Sequence, residues 1–160
     1  MENNLSYTTI EDMHFIEDIG LYFERLGLPR MAGRILGVLL ISDPLAQSIT
    51  EIREKLNASK SSISIMARLL LETGLIEKVP SPIPRRDCFR FKSGGWILYM
   101  QQWFALMSGL HKVTERGLTL MAGKPDGLKQ RLMEAHDLFS YLEEHFPSLL
   151  DKLHNDQILR

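Results

Sequence analysis

The side chains best suited to chemistry are concentrated between positions 59 and 90. Four serines and a lysine lie between Ser59 and Ser64, Arg68 follows, and three more arginines stand at positions 85, 86 and 90. Serine hydroxyls, guanidinium groups and the free amides at a helix N-terminus all donate hydrogen bonds to phosphate oxygens. Arginine also reads the edge of guanine in the major groove of DNA. These residue types therefore indicate binding of a polyanion.

The distribution of charge points to the same segment. Residues 1–52 carry three basic and eight acidic side chains, residues 53–92 nine basic and four acidic, and residues 93–160 seven basic and eight acidic. The whole chain has a formal net charge of only -1, so it has no general attraction for nucleic acid. A positive centre between acidic and near-neutral flanks is the local footprint expected of a nucleic-acid-binding surface.

Other functional classes find little support. The five histidines and the single cysteine, Cys88, lack the spacing of a metal site. We also find no phosphate-binding glycine loop and no nucleophile elbow. The sequence therefore predicts no enzyme activity, no metal and no cofactor. The cysteine count, the absence of a secretory signal and the shortness of the longest apolar run, residues 35–41, predict a cytoplasmic protein without a membrane partner.

Hydrophobic periodicity predicts a mainly helical chain with a small β-hairpin. Helices are expected over residues 7–27, 29–42, 49–56, 60–73 and 96–123, and from Asp126 onward until Pro147 interrupts the last one. Ser48 and Ser59 have the features of helix N-caps. Residues 75–79 and 88–92 have strand character, and a proline-rich loop joins them. This order of elements is that of a winged helix-turn-helix, in which the hairpin is the wing.

In this arrangement the helix over 60–73 is the recognition helix. Its outer face and the wing are the predicted DNA-binding surface, composed of Ser59, Lys60, Ser61, Ser62, Ser64, Ile65, Arg68, Arg85, Arg86 and Arg90. Short side chains would let the helix approach the floor of the major groove, and Arg68 would reach a phosphate or a guanine. Arginines on the wing suit the minor groove or the flanking backbone.

Two motifs resemble those of the GbsR-type branch of the MarR superfamily. The run from Ser59 to Ser64, followed by Arg68, Leu70 and Gly74-Leu75-Ile76, is similar to the recognition helix and first wing strand of the superfamily. The run Arg85-Arg86-Asp87-Cys88-Phe89 resembles the wing motif of that branch. Two departures are the prolines at 82 and 84, where the branch has a glycine, and Cys88, where it has an aromatic residue.

The resemblance implies a homodimeric transcriptional regulator, often a repressor, that binds a pseudo-palindromic operator in double-stranded DNA. It also implies that long terminal helices form the dimer interface. We accordingly expect an N-terminal dimerisation helix over 1–28, a winged helix-turn-helix domain over 29–93 and a C-terminal dimerisation region over 94–160. Independently, the terminal helices carry more apolar surface than one small lobe can bury, and a symmetric dimer would bury it.

Three alternatives stay open. A winged helix can serve as a protein-interaction module without DNA binding. Four aromatic residues have two possible roles: Trp96, Tyr99, Trp103 and Phe104. They would either line a pocket for a small cationic effector or pack in the core and the dimer interface. The first role is considered because some GbsR-type regulators sense choline-like compounds. Cys88 lies between arginines and is either a redox switch or a half-buried strand residue.

Overall fold

A computed structural model of the chain describes residues 9–81 and 86–155. It contains the elements α1 (Ile10–Arg25), α2 (Arg30–Ile41), β1 (Gln47–Ser48), α3 (Ile49–Leu56), α4 (Lys60–Glu72), β2 (Ile76–Val79), β3 (Cys88–Phe91), α5 (Gly95–Leu120) and α6 (Asp126–Asn155). The chain divides into two compact units, one ending at Trp96 and the other beginning at Ile97. This architecture confirms the predicted mainly helical fold with a winged helix-turn-helix.

Local signals fix the ends of the helix-turn-helix pair. The Ser48 side chain accepts from the Glu51 amide at 3.3 Å, and the Glu51 carboxylate accepts from the Ser48 amide at 2.6 Å, which completes a capping box at the start of α3. Asn57 ends α3 in the left-handed conformation, with φ of 48°. The side chain of Ser59 then caps α4. Both predicted N-caps are confirmed.

The wing belongs to a sheet of three antiparallel strands in the order β1-β3-β2. The hairpin of β2 and β3 was predicted, and β1 was not. With only two residues, β1 is too short to show an alternating pattern. Its Ser48 pairs with Cys88 and thereby ties the start of α3 to the wing.

The core of the first unit forms where α1 and α4 cover α2. Its fully buried side chains include Ile16, Ile35, Leu36, Leu39, Ile63, Leu70 and Leu75. Helices α1 and α2 come unusually close because two glycines face each other: a Cβ at Gly33 would lie 2.9 Å from the Gly20 Cα. In the structure α1 packs on α2 within this unit. The division into an N-terminal dimerisation helix over 1–28, a winged helix-turn-helix domain over 29–93 and a C-terminal dimerisation region over 94–160 stays a prediction.

The second unit is an antiparallel pair formed by α5 and α6. The stacked rings of Phe104 and Phe146, 4.2 Å apart, lie toward one end, and toward the other a Cβ added at Gly117 would lie 3.3 Å from the Leu132 side chain. The prediction that Pro147 interrupts the last helix was wrong, because α6 continues through it to Asn155. A proline removes the hydrogen bond to the carbonyl four residues earlier and crowds that carbonyl, which can bend a helix without ending it.

Candidate nucleic-acid interface

Helix α4 has one buried side and one exposed side. Ile63, Ala67 and Leu70 are at most 1% exposed and anchor it in the core. The predicted reading face lies on the other side, where Ser59, Lys60, Ser61, Ile65 and Arg68 are exposed and Ser62 and Ser64 are half-buried. The part of the predicted surface that α4 carries is therefore accessible in the first unit.

The serines at the start of α4 have a structural task as well. Ser59 Oγ accepts from the Ser62 amide at 3.2 Å and lies 3.1 Å from Ser61 Oγ. A hydroxyl has one donor and two acceptor sites, so these bonds leave hydrogen-bonding capacity for a ligand. The cap also fixes the first turn, from which the exposed Lys60 projects.

The wing cations have different environments. Arg90 Nε donates to Glu77 Oε1 at 2.7 Å, across the register that pairs these two residues on β3 and β2. Its charge is thus locally balanced, which the sequence did not reveal. Arg86 is exposed, and within the described part of the chain no carboxylate forms an ion pair with it. Arg85 lies outside the described residues.

A pocket of about 200 Å³, here called the wing pocket, lies where the start of α3, the first turn of α4 and the wing meet. Its lining consists of Ser48, Ile49, Thr50, Lys60, Arg86 and Asp87. Asp87 forms an ion pair with Lys78 Nζ at 2.7 Å. Sequence reasoning missed Thr50 and Lys78, because nothing in the order of residues places the start of α3 beside the wing.

The four aromatic residues predicted to surround an effector are divided between the units. Trp96 packs on Phe91, with ring centroids 5.2 Å apart, and stacks on Phe23 at 6.2 Å within the first unit. In the second unit Phe104 stacks on Phe146, Trp103 is 46% exposed and Tyr99 is half-buried.

Cys88 is buried, with 7% of its surface exposed, at the position where β3 pairs with both β1 and β2. Thiol chemistry requires access by the oxidant, so this burial argues against a redox switch and favours the alternative of a packed strand residue.

A polar cluster joins α5 to α6 in the second unit. Glu143 accepts a hydrogen bond from Ser108 Oγ at 2.5 Å and contacts His111 Nδ1. These two hydrogen bonds, that from Ser108 first, hold the pKa of Glu143 below its ordinary value, because they stabilise the carboxylate form. The ring of His111 lies 4.7 Å from that of His136.

No three His, Cys, Asp or Glu side chains within residues 9–81 and 86–155 are placed to hold a metal ion. Within the same residues no helix is both long and apolar enough to cross a membrane.

Comparison with known proteins identifies relatives of both units. Residues 26–87 match a profile described as the MarR family, and residues 94–156 match one described as MmpR5-like MarR family transcriptional regulator. The HTH-type transcriptional regulator MmpR5 of Mycobacterium tuberculosis (strain ATCC 25618 / H37Rv) is 37% identical over 131 residues, which cover 82% of this chain and 79% of that protein.

Two further similarities extend the comparison. The putative HTH-type transcriptional regulator YvaV of Bacillus subtilis (strain 168) is 30% identical over 66% of this chain and 63% of its own length. A solved structure described as a transcriptional regulator superposes with a TM-score of 0.77 at 34% identity, over 91% of this chain and 99% of that one.

Proposed function

This chain belongs to the MarR family of transcriptional regulators, and we propose that it regulates transcription by binding double-stranded DNA sequence-specifically. In this proposal α4 lies in the major groove and the wing contacts the flanking backbone or minor groove. The contacts come from the residues identified in the sequence: Ser59, Lys60, Ser61, Ser62, Ser64, Ile65 and Arg68 on α4, and Arg85, Arg86 and Arg90 on the wing. The family assignment agrees with the expectation of a regulator rather than an enzyme.

The observation that carries this proposal is the contrast between the two sides of α4. One side is fixed in the core, and the other presents hydroxyl groups and two cations, Lys60 and Arg68. Neither cation is ion-paired to a carboxylate anywhere in residues 9–81 and 86–155. A rigid helix with a polar, basic outer face suits base edges and phosphates.

Selection from a pool of random duplexes at moderate salt tests the proposal. Purified protein should enrich one pseudo-palindromic sequence, and failure to enrich any sequence would refute sequence-specific binding. On the enriched duplex, Arg68→Ala should cost about 1–3 kcal/mol of binding free energy, but little on random DNA, if Arg68 contacts a base. Arg86→Ala should weaken binding to both DNAs alike and flatten the salt dependence, because Arg86 neutralises a phosphate.

The matched control is Arg131→Ala, which removes an exposed arginine from α6 and should leave binding to both DNAs unchanged. If Arg68→Ala and Arg86→Ala each shift binding equally on operator and random DNA, the division of roles between helix and wing is wrong.

We propose further that the protein is a homodimer. Helices α5 and α6 leave many large apolar side chains exposed, among them Leu106 (70%), Leu120 (80%), Leu128 (62%) and Tyr141 (60%). A monomer seldom exposes so much apolar surface. The two recognition helices of the dimer would have to lie about 34–36 Å apart to enter consecutive major grooves.

Light scattering after size-exclusion chromatography tests the dimer. Leu106→Glu should reduce the mass to that of a monomer, whereas Leu45→Glu should not, because Leu45 is as exposed (69%) but lies in the loop between α2 and β1. A monomeric parent protein would refute the dimer, and equal effects of the two substitutions would refute the placement of its interface on α5 and α6.

The finer assignments are proposals on the same basis. Placement in the GbsR-type branch is supported by the wing run that includes Arg86, Asp87 and Phe89. We also propose that the protein is cytoplasmic and acts as a repressor, because a regulator bound at its operator would block transcription sterically. The alternative of a protein-interaction module is disfavoured by the polar outer face of α4, where Ile65 is the large apolar side chain that stands exposed (57%).

The effector also stays a prediction. Among the four aromatic residues, Trp103 is the most exposed (46%, against 39% for Trp96), so it is the one that a dissolved quaternary ammonium ion would reach most easily. Choline should then quench tryptophan fluorescence saturably in the parent and not in Trp103→Phe. Identical responses of the two proteins would exclude Trp103 from any such site.

A further inference from the structure

The wing pocket combines side chains from three elements that the sequence keeps apart. Lys60 comes from α4, Thr50 from α3 and Arg86 from the wing. All three are exposed at the pocket, and the described carboxylates form no ion pair with either cation. Two unpaired cations and a hydroxyl that face one small concave space are a ligand set for an anion with several oxygens.

The acidic residue of the pocket does not oppose this interpretation. Asp87 is paired with Lys78, whose ammonium lies 2.7 Å from the carboxylate, and Lys78 itself is not part of the lining. Lys78 thus neutralises the Asp87 carboxylate, which would otherwise repel an anion that enters the pocket. The pocket therefore retains the positive charge of Lys60 and Arg86.

We propose that the wing pocket binds one phosphate of the DNA backbone, held jointly by Lys60, Arg86 and the Thr50 hydroxyl, with Lys78 as a positioning residue that withdraws the charge of Asp87. This rests on the proposed function and adds to it a shared contact between recognition helix and wing. One phosphate held from both sides fixes the position of the wing relative to the helix in the groove.

The salt dependence of binding distinguishes one shared phosphate from two separate ones. Each phosphate that is neutralised contributes about 0.9 to the slope of log affinity against log salt concentration. If Lys60 and Arg86 hold the same phosphate, each single variant, Lys60→Met or Arg86→Met, keeps one cation at that phosphate and should lose less than about 0.9 per chain, and the double variant should lose about 0.9 per chain in all. Separate phosphates would give about 1.8 for the double variant.

The measurement uses the full chain and the duplex enriched by selection. At 0.1 M salt the double variant should bind about tenfold more weakly for each chain of the dimer, the effect of one lost counterion release, and each single variant should lose less than that. Arg131→Met is the control and should keep the parental slope. A slope loss of about 1.8 per chain in the double variant would overturn the shared phosphate while leaving DNA binding intact, whereas absence of duplex binding by the parent would refute the proposed function itself.

The role of Lys78 is tested by a double-mutant cycle. Lys78→Met should weaken duplex binding several-fold in the parent, because Asp87 then repels the phosphate, and should have no effect in the Asp87→Asn background. An equal loss in both backgrounds would show that Lys78 contacts DNA directly and would overturn its positioning role. Thermal unfolding of each variant separates loss of fold from loss of binding.

A free anion is the other source of the same chemistry. Titration with inorganic phosphate, followed by the NMR amide shift of Thr50, should give no saturable response near 1 mM, a concentration that corresponds to about 4 kcal/mol of binding free energy. Saturation at that level, without competition from the selected duplex, would assign the pocket to a free phosphate and overturn the DNA contact.

Discussion

Replacing Gly33 by alanine should destabilise the first unit, although alanine is the better helix former. A Cβ at this position would lie 2.9 Å from the Gly20 Cα, 2.9 Å from the Ile19 carbonyl oxygen and 3.0 Å from the Phe23 Cβ. None of these atoms is the mobile end of a side chain, so α1 would have to move away from α2 as a whole.

The size of the effect follows from two opposing contributions. Exchange of glycine for alanine inside a helix gains about 1 kcal/mol of propensity. Overpacking costs about 1–3 kcal/mol. The upper value applies here because three fixed atoms obstruct the methyl group, so the two helices must separate. A separation of even about 0.5–1 Å weakens every dispersion contact between them. We expect a net loss of about 2 kcal/mol of unfolding free energy, or about 8–16 °C in the melting temperature if the unit unfolds as a domain of its size.

Chemical denaturation of the parent and three variants provides the assay. Gly20→Ala should be milder, because its closest obstacle, at 2.7 Å, is the side-chain Cγ of Arg34, and the nearest backbone atom, the Arg30 carbonyl oxygen, is 3.3 Å away. Gly109→Ala in α5 is the control: no atom lies within 4 Å of its added Cβ, so it should stabilise the second unit by about 1 kcal/mol. A Gly33→Ala protein as stable as the parent would refute the close-contact argument.

Three more outcomes are expected. Ser48→Ala should lower the unfolding free energy by about 1 kcal/mol in denaturant titrations, since it removes one half of a capping box, and an unchanged midpoint would contradict that role. Glu143 has a lowered pKa in the folded state. Its contribution to stability is therefore complete above the ordinary pKa near 4.5 and disappears as the pH falls through the lowered pKa. The difference in unfolding free energy between the parent and Glu143→Gln should shrink over this acidic range and stay constant near neutral pH. Peroxide should leave DNA binding of the parent and Cys88→Ser equally unaffected, because the thiol is buried; a loss confined to the parent would restore the redox switch.

Local physics made most of the fold predictable from sequence. Serine caps and the apolar periodicity of α4 act within a few residues, and these features were located correctly. The prediction for Pro147 was wrong because it considered only the local effect of proline on a helix. Apolar residues continue along α6 on both sides of Pro147, and packing of such a face stabilises a helix more than local propensity does.

The interface was predictable in residue type but not in pairing. The exposure of Lys60 and Arg68 follows from helical periodicity alone. The neutralisation of Arg90 by Glu77 depends on strand register, and the meeting of Thr50 with Arg86 depends on how α3 approaches the wing through β1. Contacts between residues so distant in the chain leave no signature in a single sequence.

The two ion pairs on the wing stem, Glu77 with Arg90 and Lys78 with Asp87, bear on how such a regulator would search a chromosome. Affinity for arbitrary DNA grows with every unbalanced cation, and a genome offers millions of competing random sites. Because the stem compensates its own charge, it adds little to residence on irrelevant sequence. More of the protein would stay available for its few operator sites. A variant with neutral residues at Glu77 and Asp87 would spend more of its time bound to random DNA.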